Sequence, residues 1–339
     1  MEHAEASGRI DRRVLAGVGA QLRDRGVDPE PIGLRIGCPV TSGEHSDSTI
    51  GLGQFVGFLE EAGRMLRDAA GIWQCGRAFV PSGLPELFPH FERGSRLGTV
   101  LSALVATMNE VQSGSLIRLS VKDSLALIEY RILDPAIWPR AFDVEFTFGF
   151  FDGVIRHYFK PDFRPESLVF EHEAGQRRNA FDSAFGLTCV YGYACNLFAF
   201  PAAMLSLPVL MEWPAGAHVA DAPGRSERSE RLADRLRLAL LSCIGEGEMD
   251  QATIATMIGL SARTLRRRLL EEGLSFRDEI DRLRMKYARE MILQTNLPFM
   301  ELASRLGYRQ QSDFTRAFRR AEGVPPSMLR RRRSDDDPK

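Results

Sequence analysis

The sequence is poor in the features from which disulfide scaffolds, metal sites and membrane proteins are built. Its 339 residues hold five cysteines (Cys38, Cys75, Cys189, Cys195 and Cys243). Their number is odd, their spacing is wide, and no pair forms C-x-x-C or stands with a histidine at zinc-site spacing. That excludes a sequence-visible disulfide framework and points to reduced thiols in a cytosolic chain. No apolar run approaches the roughly 20 residues that span a bilayer. The first eleven residues are polar and lack the core of a signal peptide. The expected location is cytoplasmic.

Catalytic signatures are missing too. There is no G-x-S-x-G elbow, P-loop or H-E-x-x-H. Gly51-Leu52-Gly53-Gln54-Phe55-Val56-Gly57 has G-x-G-x-x-x-G spacing, no buried strand before it and no βαβ unit after it, so it reads as a helix start. Glu171-His172-Glu173 falls on an expected strand, which sends His172 and its neighbours to opposite faces. No catalytic residue, metal ligand or cofactor is expected, and the chain is not expected to be an enzyme.

Charge is nearly balanced, at −1 overall, but unevenly placed. From Arg225 onward 24 Lys and Arg face 18 Asp and Glu, whereas 20 face 27 before it. A basic module on an acidic remainder fits contact with nucleic acid through one part of the chain, although an ordinary charged surface would look the same.

Ile10, Val14, Leu15, Val18 and Leu22 recur at helical spacing, and a short helix follows, stopping near Gly37 and Pro39. Residues 41–49 read as a polar loop, 52–70 as a helix, 71–89 as turn-rich and 97–111 as an amphipathic helix. The period then changes to that of strands over 116–121 and 125–132, around Lys122-Asp123-Ser124. A Pro-bounded loop with Trp138 precedes a Phe-rich helix over 141–159. A strand is expected at 167–172, a helix at 176–185 and a broken strand or strand pair at 187–200. Pro, Gly and Ala mark 212–226 as a linker. Helices follow at about 227–244, 250–258, 262–272, 276–294, 298–306 and 311–322. This predicts an α+β N-terminal regulatory domain over 1–211. An all-α domain follows over 227–333, with a frayed tail at 334–339.

The all-α part holds two matched units, at about 250–272 and 298–322. Ile254-Ala255-Thr256-Met257-Ile258-Gly259-Leu260 and Leu302-Ala303-Ser304-Arg305-Leu306-Gly307-Tyr308 share one pattern: apolar, Ala, two free positions, apolar, Gly, apolar. A small residue permits two helices to cross closely, and Gly permits the positive φ of the turn. Ser261 is a fitting N-cap for the helix that follows the first turn. Each following helix keeps an apolar stripe for the core and a polar, arginine-bearing face. Such a face suits a DNA major groove. The helix between the units, with Ile280, Leu283, Tyr287, Met291 and Ile292 on one stripe, is about 28 Å long at 1.5 Å per residue. The major groove repeats about every 34 Å, so one chain can present both units to successive grooves.

These residues resemble the AraC family of bacterial transcription regulators. The most specific stretch is Leu302-Ala303-x-x-Leu306-Gly307-Tyr308-x-x-Gln311-Ser312-Asp313-Phe314-x-Arg316-Ala317-Phe318-x-Arg320, followed by Gly323-Val324-x-Pro326-Ser327. Ser261-Ala262-Arg263-Thr264-Leu265-Arg266-Arg267 and Gly273-Leu274-Ser275-Phe276 match the first unit. Met300-Glu301-Leu302 and Ala321-Glu322 depart from the usual pattern. The resemblance implies that Arg263, Thr264, Arg266, Arg267, Gln311, Ser312, Thr315 and Arg316 meet DNA. It also implies an N-terminal regulatory domain of the AraC type, activation more than repression, and contact with RNA polymerase. The expected partners are double-stranded promoter DNA, RNA polymerase, a small-molecule effector and a second copy of the chain, with no membrane. When bound to DNA the protein would sit at the nucleoid.

Tyr130, Arg131, Trp138 and His157 lie near the Phe-rich stretch and are taken as the effector-binding set. Two other readings stay open. One is a ligand-independent dimeric regulator governed by protein contacts. The other is a DNA-repair enzyme fused to this DNA-binding module, which would need a reactive Pro-Cys-His cysteine or clustered zinc cysteines that the sequence does not contain.

Overall fold

The computed structural model describes residues 8–41, 48–88, 90–134, 136–173, 175–193, 195–211, 232, 236, 239–240 and 250–336. The chain divides into two compact units, one of residues 1–132 and 139–224, the other of 133–138 and 225–339. The 212–226 linker lies outside the described residues, as does most of the helix expected at 227–244. Of that helix, Leu232, Leu236, Ala239 and Leu240 are described, helical and buried.

The first unit is α+β. A short strand β1 (Arg9–Asp11) pairs antiparallel with β2 (Thr49–Gly51). Asp11 then caps α1 (Arg12–Arg23), its side chain accepting from the Arg13 amide at 2.8 Å. Helices α2 (Glu30–Ile36) and α3 (Leu52–Met65) come next, then α4 (Gly71–Leu87) and α5 (Leu97–Val111). The main sheet starts with the hairpin β3 (Ser115–Lys122) and β4 (Leu125–Ile132). Asp123 and Ser124 form its two-residue turn, both at positive φ (47° and 67°), as the right-handed twist of a tight hairpin requires. With β5 (Ser167–Val169) and β6 (Asn196–Pro201) the order is β3-β4-β6-β5, antiparallel throughout.

Helix α6 (Ala141–Tyr158) is the axis of this unit. Every side chain from Phe142 to Ile155 is buried, three carboxylates among them. A charge in such a place persists only if answered by partners. Asp143 accepts from the Tyr130 hydroxyl at 2.6 Å. Glu145 accepts from Arg177 at 2.5 Å. Asp152 accepts from Trp73, Arg77 and Arg156. Helix α7 (Arg178–Phe185) follows a 3-10 turn (Gly175–Arg177) and packs Phe181 and Phe185 against Trp73.

Three expectations are corrected here. Residues 71–89, read as turn-rich, form α4 through Leu87. Its Gly76 and Gly149 of α6 serve close packing: a Cβ on Gly76 would lie 2.2 Å from the Phe146 carbonyl oxygen, and one on Gly149 would lie 2.2 Å from that of Trp73. Helix α3 ends at Met65, not at residue 70. The 167–172 strand stops at Val169, and 187–200 contributes β6 plus one bridge from Val190 to Val169, so His172 lies past the strand end.

The second unit is all-helical over its described elements. They are α8 (Gln251–Met257), α9 (Ala262–Glu271), α10 (Phe276–Gln294), α11 (Phe299–Arg305), α12 (Gln311–Glu322) and α13 (Pro326–Asp336). The stripe Ile280, Leu283, Tyr287, Met291 and Ile292 of α10 is buried as its spacing predicts. Of the tail expected at 334–339, residues 334–336 are helical and 337–339 lie outside the described residues. Helix α13 runs to Asp336, Leu329 is buried, and Arg330 donates to the Leu297 carbonyl at 2.6 Å while lying 4.0 Å over the Phe299 ring.

Candidate functional site

The two turns in the second unit are the same object built twice. In the first, Gly259 (φ 69°) donates to the Thr256 carbonyl at 3.0 Å and Leu260 to that of Ala255 at 2.8 Å. In the second, Gly307 (φ 76°) donates to Ser304 at 3.0 Å and Tyr308 to Ala303 at 2.9 Å. The repeated Ala-to-Gly spacing thus becomes one repeated hydrogen-bond pattern, in which the last carbonyls of α8 and α11 are satisfied. Ala255 and Ala303 are both buried.

The helices that follow differ by one residue in their approach. Ser261, two residues past Gly259, caps α9 and accepts from the Thr264 amide at 3.1 Å. Gln310, three residues past Gly307, opens α12 without a side-chain cap. The longer second turn shifts every later position by one, so Leu265 and Leu269 correspond to Phe314 and Phe318, all four buried. Each such burial contributes about 1.5–3 kcal/mol and fixes which face of the helix stays outside.

That outer face carries the sequence-predicted residues. Arg263, Arg266 and Arg267 are exposed and Thr264 is half-buried; Gln311, Ser312 and Arg316 are exposed and Thr315 is half-buried. Thr264 and Thr315 are spent locally, Thr264 sharing a hydrogen bond with Ser261 at 2.8 Å and Thr315 donating to the Gln311 carbonyl at 2.9 Å. Arg266 reaches Gln251 at 3.4 Å, Arg267 pairs with Glu271 at 3.7 Å, and Arg316 pairs with Asp313. Arg263 has no ion pair among the described residues. Surface pairs of this kind are weak and readily exchanged for a phosphate or a base edge.

The family described as the arabinose-binding domain of the AraC transcription regulator, N-terminal part, matches residues 26–209, more than half of the chain, and a helix-turn-helix domain family matches residues 254–332. The chain belongs to the AraC family of transcription regulators. This AraC-family chain is 26% identical to the regulator VirS of Mycobacterium tuberculosis over 327 residues, covering 91% of this chain and 92% of that one. It is 28% identical to the ornithine utilization regulator of Pseudomonas aeruginosa over 169 residues, 48% of this chain and 49% of that one. The crystal structure of the regulator CdpR from Pseudomonas aeruginosa is similar at a TM-score of 0.38 and 17% identity, over 93% of this chain and 96% of that one. The AraC-family chain is a sequence-specific DNA-binding transcription regulator.

In the first unit of this AraC-family chain, the expected effector set does not converge. Tyr130 is fully buried, Arg131 is buried in β4, His157 is exposed on α6 and Trp138 falls in the second unit. None of the four lines either of two cavities among the described residues of the first unit. One of these, of about 40 Å³, is walled by the rings of Phe55, Phe79, Phe88, Phe146 and Phe150. Its polar groups are Gln112 and Thr147. Gln112 donates to the Tyr130 hydroxyl at 2.9 Å, so Tyr130 stands one hydrogen bond behind that wall. Burial pushes the Asp143 carboxyl up to about 7 against the pull of the Tyr130 hydrogen bond, and pushes the Tyr130 phenol well above its ordinary value. Gln112 was findable from sequence: it continues the Leu97, Leu101, Leu104, Met108 stripe as its one polar member.

Proposed function

We propose that one chain reads two successive major grooves of promoter DNA, with α9 in one and α12 in the next. The repeated turn carries this reading, because it sets two arginine-bearing helices in equivalent local frames at the two ends of α10. Arg263, Arg266, Arg267, Gln311, Ser312 and Arg316 then supply base and phosphate contacts, while Thr264 and Thr315 shape the groove-facing surface. The first unit senses a small molecule and biases the affinity of the second, so that its ligand must bind two states of the protein unequally. The protein acts as an activator without chemistry of its own, in the cytoplasm, with RNA polymerase and a second copy of the chain as partners.

The test is selection of bound sequences from a random DNA pool by the full-length protein. The expected site has two short fixed blocks whose centres lie about 10 base pairs apart. A single block, or blocks at half-integral turns, contradicts the reading.

A further inference from the structure

A second concavity in the first unit, of about 320 Å³, has a different chemistry from the phenylalanine-walled one. Three arginines from three segments line it: Arg77 of α4, Arg156 of α6, and Arg164 from the stretch between α6 and β5. The fully buried Asp152 orients two of them. Arg77 donates from Nε to Oδ2 at 2.7 Å, and Arg156 donates from Nε to Oδ1 at 2.9 Å. Trp73 adds its indole N–H to Oδ2 at 3.1 Å, and Arg156 also donates from Nη1 to the Pro161 carbonyl at 3.2 Å.

These contacts fix the guanidinium planes without exhausting their donors. Nη1 of Arg77 and Nη2 of Arg156 have no acceptor among the described residues, and Arg164 has neither a hydrogen bond nor an ion pair there. On the negative side stand Asp152, already shared by two arginines, and Asp162, which pairs with Lys160 at 3.2 Å. The cleft therefore keeps a positive surplus with unspent N–H groups. Pro165 and Phe185 supply an apolar wall beside them.

We propose that this cleft binds a small organic dianion, a phosphomonoester or dicarboxylate whose paired oxygens bridge Arg164 and the arginines held by Asp152. Guanidinium forks match such oxygens two at a time, with greater strength than neutral hydrogen bonds. An organic body is implied by size, since small-molecule sites ordinarily occupy about 300–1,000 Å³ and a bare phosphate would leave most of this cleft and its apolar wall unfilled. The Trp73–Asp152–Arg77–Arg156 cluster has a structural duty of its own, tying α4 to α6. That duty accounts for neither the unpaired Arg164 nor the open space. The binding claim goes beyond the DNA-reading proposal and does not depend on it; only a regulatory consequence would.

The experiment is calorimetric titration of the full-length protein with glycerol 3-phosphate, succinate, inorganic phosphate and acetate. It is repeated on Arg164→Gln and on Arg35→Gln, an exposed arginine of α2 that serves as control. Glycerol 3-phosphate or succinate is expected to bind at one site per chain, more tightly than inorganic phosphate, with no heat from acetate. Arg164→Gln should weaken that binding by about tenfold or more, the loss of a charge-assisted contact, and Arg35→Gln should leave it unchanged. Arg164 is exposed, so the variant keeps its fold, which an unchanged thermal unfolding midpoint without ligand verifies. No binding by either organic dianion up to about 10 mM overturns the proposal, as do equal affinities in wild type and Arg164→Gln, or acetate binding as well as succinate. DNA binding measured on the same samples separates any such failure from a failure of the DNA-reading proposal.

Discussion

Arg267 and Arg316 occupy the same station on the two reading helices. Each stands two residues beyond the first buried anchor, Leu265 or Phe314, and each is exposed and paired with a carboxylate of its own helix. They differ in how the pair is made. Arg267 reaches forward one turn to Glu271, whereas Arg316 reaches back to Asp313 in the first turn of α12. A groove-facing arginine must leave such a pair to meet DNA, and exposure makes that inexpensive.

Alanine at either position should therefore weaken specific DNA binding by about 1–3 kcal/mol if a base contact is lost. Fluorescence anisotropy with the selected site and a scrambled duplex measures it. The loss should appear on the selected site and be smaller on the scrambled one. An equal loss on both would mean phosphate contact only.

The last helix is a structural part of the second unit. Leu329→Ala removes a buried side chain and should lower stability by about 2–5 kcal/mol, as measured by urea unfolding of a 227–339 fragment. The same fragment should bind DNA with steep salt dependence. Ending it at residue 325 should cause a similar or larger loss, since Arg330 and its contacts to Leu297 and Phe299 go too. A 227–325 fragment as stable as 227–339 would show α13 to be dispensable.

Asp143 makes the first unit sensitive to pH in a defined direction. Its carboxyl titrates near 7 in the folded chain against 3.8 when free, so the folded state holds the proton more tightly. Its contribution to stability is full below about 4 and declines as pH rises through about 7. Thermal unfolding of the full-length protein between about pH 5 and pH 8 should show Tm falling, with a shallower fall in Asp143→Asn. An unchanged slope in the variant would remove Asp143 as the cause.

Close approach of α4 and α6 predicts intolerance at Gly149. A methyl group there meets the Trp73 carbonyl oxygen at 2.2 Å, and backbone cannot step aside as a side chain can. Gly149→Ala should destabilise the protein by about 1–3 kcal/mol or more in chemical denaturation. Gly26→Ala meets no atom within 4 Å and carries only the strain of its φ of 76°, which separates crowding from backbone strain.

What could be read in advance followed from local rules with a single solution. Ala255, Gly259, Ala303 and Gly307 each satisfy a steric demand that few residues meet, so the two turns were visible by spacing alone. The β3–β4 hairpin was visible by the strand period on both sides of Lys122-Asp123-Ser124, although Lys122 ends β3 and the turn itself is Asp123-Ser124. Helix α4 was hidden because Gly76, which lets it touch α6, and the Gly and Pro residues around it break a periodic pattern. Helix α13 was hidden because six of its eleven residues are charged and they stand in a run after its buried Leu329. The effector set was chosen by nearness in sequence, which is not nearness in space. His157 and Tyr158 are adjacent, yet one is exposed and the other fully buried. The arginine cleft brings residues 77 and 156, joined through Asp152, beside residue 164, a convergence that only the fold creates.

The measurement that bears most directly on two-groove reading is a hydroxyl-radical and methylation-interference footprint of the full-length protein on its selected site, taken alongside Arg267→Ala and Arg316→Ala. The account predicts two major-groove contact zones about one helical turn apart, with Arg267→Ala erasing contacts in one zone and Arg316→Ala in the other. One contact zone, or loss of the same contacts in both variants, would contradict it.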